Sequence, residues 1–172
     1  MDVYECLKSC IEVRRFKPEP VPKTVVTRIL QAGRWAPNSR NLQPWHFIVI
    51  RERETLKTIG GITTTGPFVA QAPLAIAIVM DNADRPELDA GRALQQMALT
   101  AWSDGIGTCF VGLRDPQQNR KVKQMLSIPP EMELITVMPF GYSAERIVGS
   151  GKRRSPLADM VHAEKFGQRH EE

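Results

Sequence analysis

Ala36-Pro37-Asn38-Ser39-Arg40-Asn41-Leu42-Gln43-Pro44-Trp45 is the stretch on which the reading of this chain turns. Pro37 and Pro44 each remove a backbone donor and restrict the residue before them, so neither a helix nor a strand runs through it. What remains is a polar loop that ends on Trp45, a candidate core plug. Loops carried on a rigid scaffold are common seats of function. The side-chain amides of Asn41 and Gln43 each offer a donor and an acceptor. Such groups match the alternating C=O and N–H edge of a planar heterocycle, so the residues point to a heteroaromatic ligand without naming one.

Upstream, Val25, Val26, Ile29, Leu30 and Gly33 recur at helical spacing, and Pro22 suits the first turn of that helix. Residues 16–22 carry three prolines and are irregular. Residues 2–12 place Val3, Leu7, Cys10 and Ile11 at helical spacing. Downstream, residues 46–50 are apolar and β-branched, as a strand requires. A short helix is expected over 53–60. The near-continuous apolar run Leu74–Met80 reads as a strand buried on both faces. The longest helical pattern covers 87–104, with Leu94, Met97, Ala98 and Ala101 inward. Strands follow at 108–111 and 134–140, separated by a helix from Asp115 with Val122, Met125 and Leu126 inward. The tail from Gly149 is polar, with one apolar cluster around Leu157, Met160 and Val161. The stretch 61–67 reads as a mobile loop. Strands and helices mixed in one unit make the chain α/β or α+β.

The 172 residues are 42% hydrophobic and 24% charged, the profile of one globular domain over 1–172, large enough to hold a core without disulfide staples. No apolar run reaches the roughly 20 residues of a membrane span. The first residues are acidic where a signal peptide is basic. Cys6, Cys10 and Cys109 are an odd set without a C-x-x-C pair, as expected of reduced thiols in a cytoplasmic protein. The net charge of +4 is spread along the chain, and aromatics are only 6%, so no nucleic-acid stripe is present. Taken alone, Lys152-Arg153-Arg154 is a solvated loop.

Common catalytic and nucleotide motifs fail on inspection. Gly105-Ile106-Gly107 lacks the third glycine of a dinucleotide fingerprint and lies after a helix and before a strand, the reverse of the required order. Gly151-Lys152 is followed by Arg153, so there is no phosphate loop of the Walker type. His46, His162 and His170 stand far apart without ligand spacing, so no metal is expected. Cys6 and Cys10, one helical turn apart, read as core filler.

Four ordered segments resemble the nitroreductase family of FMN-dependent oxidoreductases. The loop at 36–45 is similar to the family's A-P-S-x-x-N-x-Q-P-W, with Asn38 where the family has serine. Val13-Arg14-Arg15-Phe16-Lys17-Pro18-Glu19-Pro20-Val21-Pro22 resembles its N-terminal R-x-F…P-V-P. Gly105-Ile106-Gly107-Thr108-Cys109-Phe110-Val111-Gly112 resembles its G-L-G-[ST]-C-[WF]-[IV]-G, and Lys152-Arg153-Arg154-Ser155-Pro156-Leu157 its K-x-R-x-P-L. The resemblance covers almost the whole chain.

The resemblance implies an α+β fold with a mixed, mostly antiparallel central sheet flanked by helices, built as an intertwined homodimer. Two FMN molecules would lie between the subunits. Asn41 and Gln43 would meet the isoalloxazine ring, and Ser39 the ribityl-phosphate side or the ring edge. Gly112 would offer its N–H near flavin N5. Lys152 and Arg154 would bind the phosphate, Arg154 through its forked guanidinium. Arg14 would stabilise the reduced flavin at N1 and O2, and Arg15 would serve only to compensate for the arginine that Cys10 replaces. No side chain need be a catalytic acid or base, because the flavin carries the hydride chemistry. The implied activity takes hydride from NAD(P)H and passes it to a nitroaromatic, quinone or similar acceptor by a ping-pong mechanism. Membrane and nucleic-acid partners are not expected. One departure stands out. Aligned on Phe16, Cys10 replaces a phosphate-binding arginine and Glu12 a serine. That departure favours the alternative of a flavin-binding or flavin-storage protein without rapid turnover. A specialised reductive or flavin-cleaving chemistry is a further rival, but the short 61–67 stretch offers little lid for it.

Overall fold

The computed structural model describes residues 2–145 and 152–169. Helix α1 (Val3–Ser9) is capped by Asp2, whose carboxylate accepts from the Tyr4 and Glu5 N–H groups. Helix α2 (Lys23–Arg34) follows the proline-rich segment and turns Val26, Ile29 and Gly33 inward. Strand β1 (Trp45–Ile50), helix α3 (Arg53–Ile62), strand β2 (Leu74–Met80) and helix α4 (Pro86–Ser103) come next. Then follow the two-residue strand β3 (Gly107–Thr108), helix α5 (Pro116–Met125), capped by Asp115, and strand β4 (Glu133–Gly141).

The strands form one sheet in the order β1-β2-β4-β3, antiparallel at each pairing. A parallel bridge between Glu12 and Thr108 at the β3 edge makes the sheet mixed. All seven residues of β2 are buried, as the apolar run requires. Alternation along β2 divides the core. Ala75, Ala77 and Val79 pack with Leu56 and Ile59 of α3 and Val122 of α5. Leu74, Ile76, Ile78 and Met80 pack with Ile29 of α2 and with Ala93, Met97 and Ala101 of α4. The sheet is thus sandwiched between two helical layers. Trp45 is buried in the second layer, the plug expected of it.

The register of β4 slips once. Ile78 pairs with Thr136 but Val79 pairs with Leu134, which leaves Ile135 as the extra residue of a bulge.

Three sequence expectations change. The strand expected over 108–111 leaves the ladder after Thr108, because side chains hold the backbone beyond that point. Helix α1 stops at Ser9, since Cys10 is extended and the chain turns to bridge Thr108. Val3 and Leu7 are exposed, while Cys6 is the buried residue of this helix. The 61–67 stretch is tied down: Thr64 N–H donates to Gln118 Oε1 at 3.2 Å and Thr65 Oγ1 to the Gly112 carbonyl at 2.7 Å. Gly66 lies so close to the Val111 side chain that a Cβ there would overlap it.

Adjacent glycines near the end of α3 have opposite surroundings. A Cβ on Gly60 would meet the Ala70 backbone N at 2.8 Å, whereas a Cβ on Gly61 meets nothing within 4 Å. Gly60→Ala is expected to cost about 1–3 kcal/mol by overpacking. Gly61→Ala is expected to stabilise by up to about 1 kcal/mol through helix propensity. Paired chemical denaturation curves check both signs, and equal signs would contradict this packing.

Candidate functional site

Gly107 opens the site because Val13 leaves no room for a side chain there. The Val13 N–H donates to the Thr108 carbonyl at 2.9 Å, so the segment after α1 lies along the edge of the sheet. Residues 109–113 then run on without a strand partner, and side chains hold them instead. Glu12 Oε2 accepts from the Phe110 N–H at 3.0 Å. Thr136 Oγ1 donates to the Val111 carbonyl at 2.8 Å, and Thr65 Oγ1 donates to that of Gly112. Asn119 Nδ2 donates to the Leu113 carbonyl at 3.4 Å. The Gly112 N–H has no acceptor among the described residues.

Beside this strip lies a cavity of about 620 Å³, lined among others by Leu7, Cys10, Glu12, Phe110, Lys152 and Arg154. Lys152 Nζ donates to the Leu7 carbonyl at 3.4 Å, at the C-terminal end of α1, where a cation is favoured. Two cations from the C-terminal segment therefore face Cys10 and Glu12, two of the residues that depart from the family pattern. Burial pushes the Cys10 thiol up, and Lys152 pulls it partly back down. Cys109 is pushed up to about 12, first by burial and then by Glu12, so it is an inert core thiol at neutral pH. Glu12 has turned one oxygen to the Phe110 N–H, which occupies part of the charge that would otherwise repel a phosphate.

Arg14 and Arg15 diverge. Arg14 is exposed, with its guanidinium carbon 6.0 Å from the Phe68 ring centroid. Arg15 Nε pairs with Glu145 Oε1 at 3.2 Å, where residues 15–17 run beside 142–144. The structure therefore places Arg15 in an ion pair of its own.

The 36–45 loop stands elsewhere on the chain. It makes a 3₁₀ turn over Ser39–Asn41. Arg40, Asn41 and Gln43 have φ of 50°, 55° and 51°. The left-handed region costs a non-glycine residue on the order of 1–3 kcal/mol, and such outliers cluster at functional sites. Asn38 holds the conformation, because its Oδ1 accepts from the Gln43 N–H at 2.8 Å. Arg40 pairs with Asp84 at 2.6 Å. Ser39, Asn41 and Gln43 are exposed. Ser39 borders a hollow with Asp84, Asp89 and Arg92, and Gln43 another with Trp45 and His46. One chain thus gathers Lys152, Arg154, Cys10 and Glu12 at one place and presents Ser39, Asn41 and Gln43 at others.

Sequence reasoning missed Asn38, Thr65 and Thr136. Asn38 carried a usable signal, since an Asn just before a tight polar turn is a natural backbone acceptor. The two threonines carried none, because their partners are backbone atoms 47 and 25 residues away.

Residues 9–83 and 63–142 match the family model described as the nitroreductase family. A Methanothermobacter thermautotrophicus protein, named as a candidate NADH dehydrogenase/NAD(P)H nitroreductase, is 32% identical over 96% of this chain and 88% of its own length. A Parabacteroides distasonis crystal structure with a name of the same kind superposes with a TM-score of 0.89 at 25% identity, covering 95% of this chain and 98% of that one. A Desulfovibrio desulfuricans structure, named as a candidate nitroreductase in complex with FMN, gives 0.83 at 27% identity and covers 96% and 98%. With the four ordered motifs carried on the fold that the resemblance implies, this chain belongs to the nitroreductase family.

Proposed function

We propose that this single-domain chain works as an FMN-dependent NAD(P)H oxidoreductase that handles two substrates in turn at one face of the flavin. The first is the reduced nicotinamide, and the second is a nitroaromatic, quinone or similar acceptor. The enzyme class and its cofactor rest on the family and on the FMN-bound relative. The observation that carries the site is the meeting of Lys152 and Arg154 with the end of α1 in one cavity. A cavity with two cations, bordered by a strip with a spare backbone donor, fits a phosphate joined to a planar ring. Bound FMN supplies hydride transfer through N5.

The chain's own groups do the rest. Lys152 and Arg154 hold the phosphate. Gly112 offers its N–H to the ring. Arg14 stands free of an ion pair among the described residues and can balance negative charge on the pyrimidine side. Asn41 and Gln43 read the ring edge, with Ser39 beside them. These loop residues lie outside the Lys152 cavity, so this reading has them come from a second copy of the chain.

Exposed apolar groups support the dimer. On α1, Val3 is 71% exposed and Tyr4 65%. In the C-terminal segment Leu157 is 64% exposed and Phe166 92%, and the His162 ring packs against that of Phe166 at a tilt of 53°. A tail with so little attachment of its own is matched by burial on a partner.

The described residues include no helix long and apolar enough to cross a membrane. The three cysteines form no disulfide.

Storage without turnover loses ground, because Glu12, one of the two features favouring it, is engaged by the Phe110 N–H. The absorption spectrum of the purified protein, followed by bleaching with NADH or NADPH and recovery with a quinone, tests the function. A bound flavin that no nicotinamide bleaches would favour storage instead.

Asn41→Ala is expected to cost about 1–3 kcal/mol of FMN affinity, the penalty for an unmade buried hydrogen bond. Fluorescence titration of apo-protein measures it, and parental affinity would remove this loop from the site. Analytical ultracentrifugation is expected to give a dimer at micromolar concentration, with a large interface. A monomer that still holds FMN would contradict the two-chain site.

A further inference from the structure

The peptide that joins Val111 to Gly112 has two ends. Its oxygen accepts from Thr136 Oγ1 at 2.8 Å, and Thr136 is fully buried. Its N–H, on Gly112, has no acceptor among the described residues. The next carbonyl, that of Gly112 itself, accepts from Thr65 Oγ1 at 2.7 Å. Two hydroxyls therefore fix the peptide planes on either side of Gly112. Neither comes from the strip. Thr136 stands on β4 beside the bulge at Ile135, a device that re-aims side chains next to functional sites. Thr65 comes from the segment between α3 and β2.

A sheet cannot do this work here. The β3 ladder ends at Thr108, four residues before Gly112. A continued ladder would also engage the backbone donors along one side of the strip. The threonine clamp fixes the peptide from its carbonyl side and leaves the N–H available. Thr136 could be replaced sterically by valine, so the hydroxyl in the core has a polar purpose. A hydroxyl donating to an amide oxygen also polarises that amide, which strengthens its N–H as a donor.

We propose that Thr136 and Thr65 are positioning residues that aim the Gly112 N–H at flavin N5 and so help set the flavin's redox potential. The proposal rests on the reading that Gly112 faces the ring. Oxidised N5 is an acceptor, and N5 that has taken hydride carries its own hydrogen. A fixed, polarised donor therefore favours oxidised FMN and holds the midpoint potential down. Releasing the peptide weakens oxidised-FMN binding and raises the potential.

The test uses FMN-loaded parent, Thr136→Val, Thr136→Ser and Thr65→Val. The readouts are FMN dissociation constant, midpoint potential against a reference dye, and the Gly112 amide resonance with and without FMN. Thr136→Val is expected to weaken FMN about tenfold and raise the potential, and Thr136→Ser to restore both. Thr65→Val, at an exposed position, is expected to shift both in the same direction by about threefold in affinity, and it carries the test if Thr136→Val does not fold. A lowered melting temperature of the apo-protein with parental affinity and potential would make the threonines merely structural and overturn the clamp. A Gly112 resonance that FMN does not move in the parent would overturn the reading beneath it. A moved resonance with unchanged potentials in both valine variants would overturn the clamp alone.

Discussion

Seven consecutive apolar residues, Leu74–Met80, must be hidden on both faces at once. Only the interior of a sheet with helices on both sides satisfies that demand, because each face of a strand needs its own apolar cover. From this follow the antiparallel neighbours β1 and β4, the α2–α4 layer on one face and the α3–α5 layer on the other. Every functional segment is placed by reference to that strand. The 36–45 loop feeds β1 at one edge, and the strip at 109–113 leaves the short β3 at the other.

The two edges are treated differently. At the β1 side, the loop stores strain in three positive-φ residues and is locked by Asn38 and by the Arg40–Asp84 pair. At the β3 side, the ladder stops early and side chains take over the backbone. That substitution frees peptide groups a ladder would consume, which is what a site recognising a planar heterocycle needs. The proposed second chain brings the two edges together, since no cavity described above on one chain joins them.

The departure at Cys10 and Glu12 is better understood from the structure. Glu12 is tied to the Phe110 N–H, so it serves the strip while it borders the cavity. Cys10 leaves open a position that the family pattern fills with arginine, and Lys152 approaches from the tail. In the proposed site, charge for an anion comes from the C-terminal segment more than from the start of the chain.

Much of this protein was legible in the sequence. The apolar run fixed β2, the 3.6-residue spacing fixed α2 and α4, and Pro22 and Asp115 marked where α2 and α5 begin, because these depend on local chemistry and on burial periodicity. The polar loop was recognisable as a candidate because its paired side-chain amides suit a heterocycle edge, whereas the late basic residues read alone as a solvated loop and stood out only through the resemblance. Tertiary structure decided the rest. It ended α1 at Ser9 and β3 at Thr108, since an edge contact between segments roughly 95 residues apart competes there with local preference. It paired Arg15 with Glu145 and brought Lys152 to the end of α1. It also set Thr136 and Thr65 on either side of Gly112. Hydrogen bonds from side chains to distant backbone atoms leave no periodicity behind them, so only the folded chain shows where they are made.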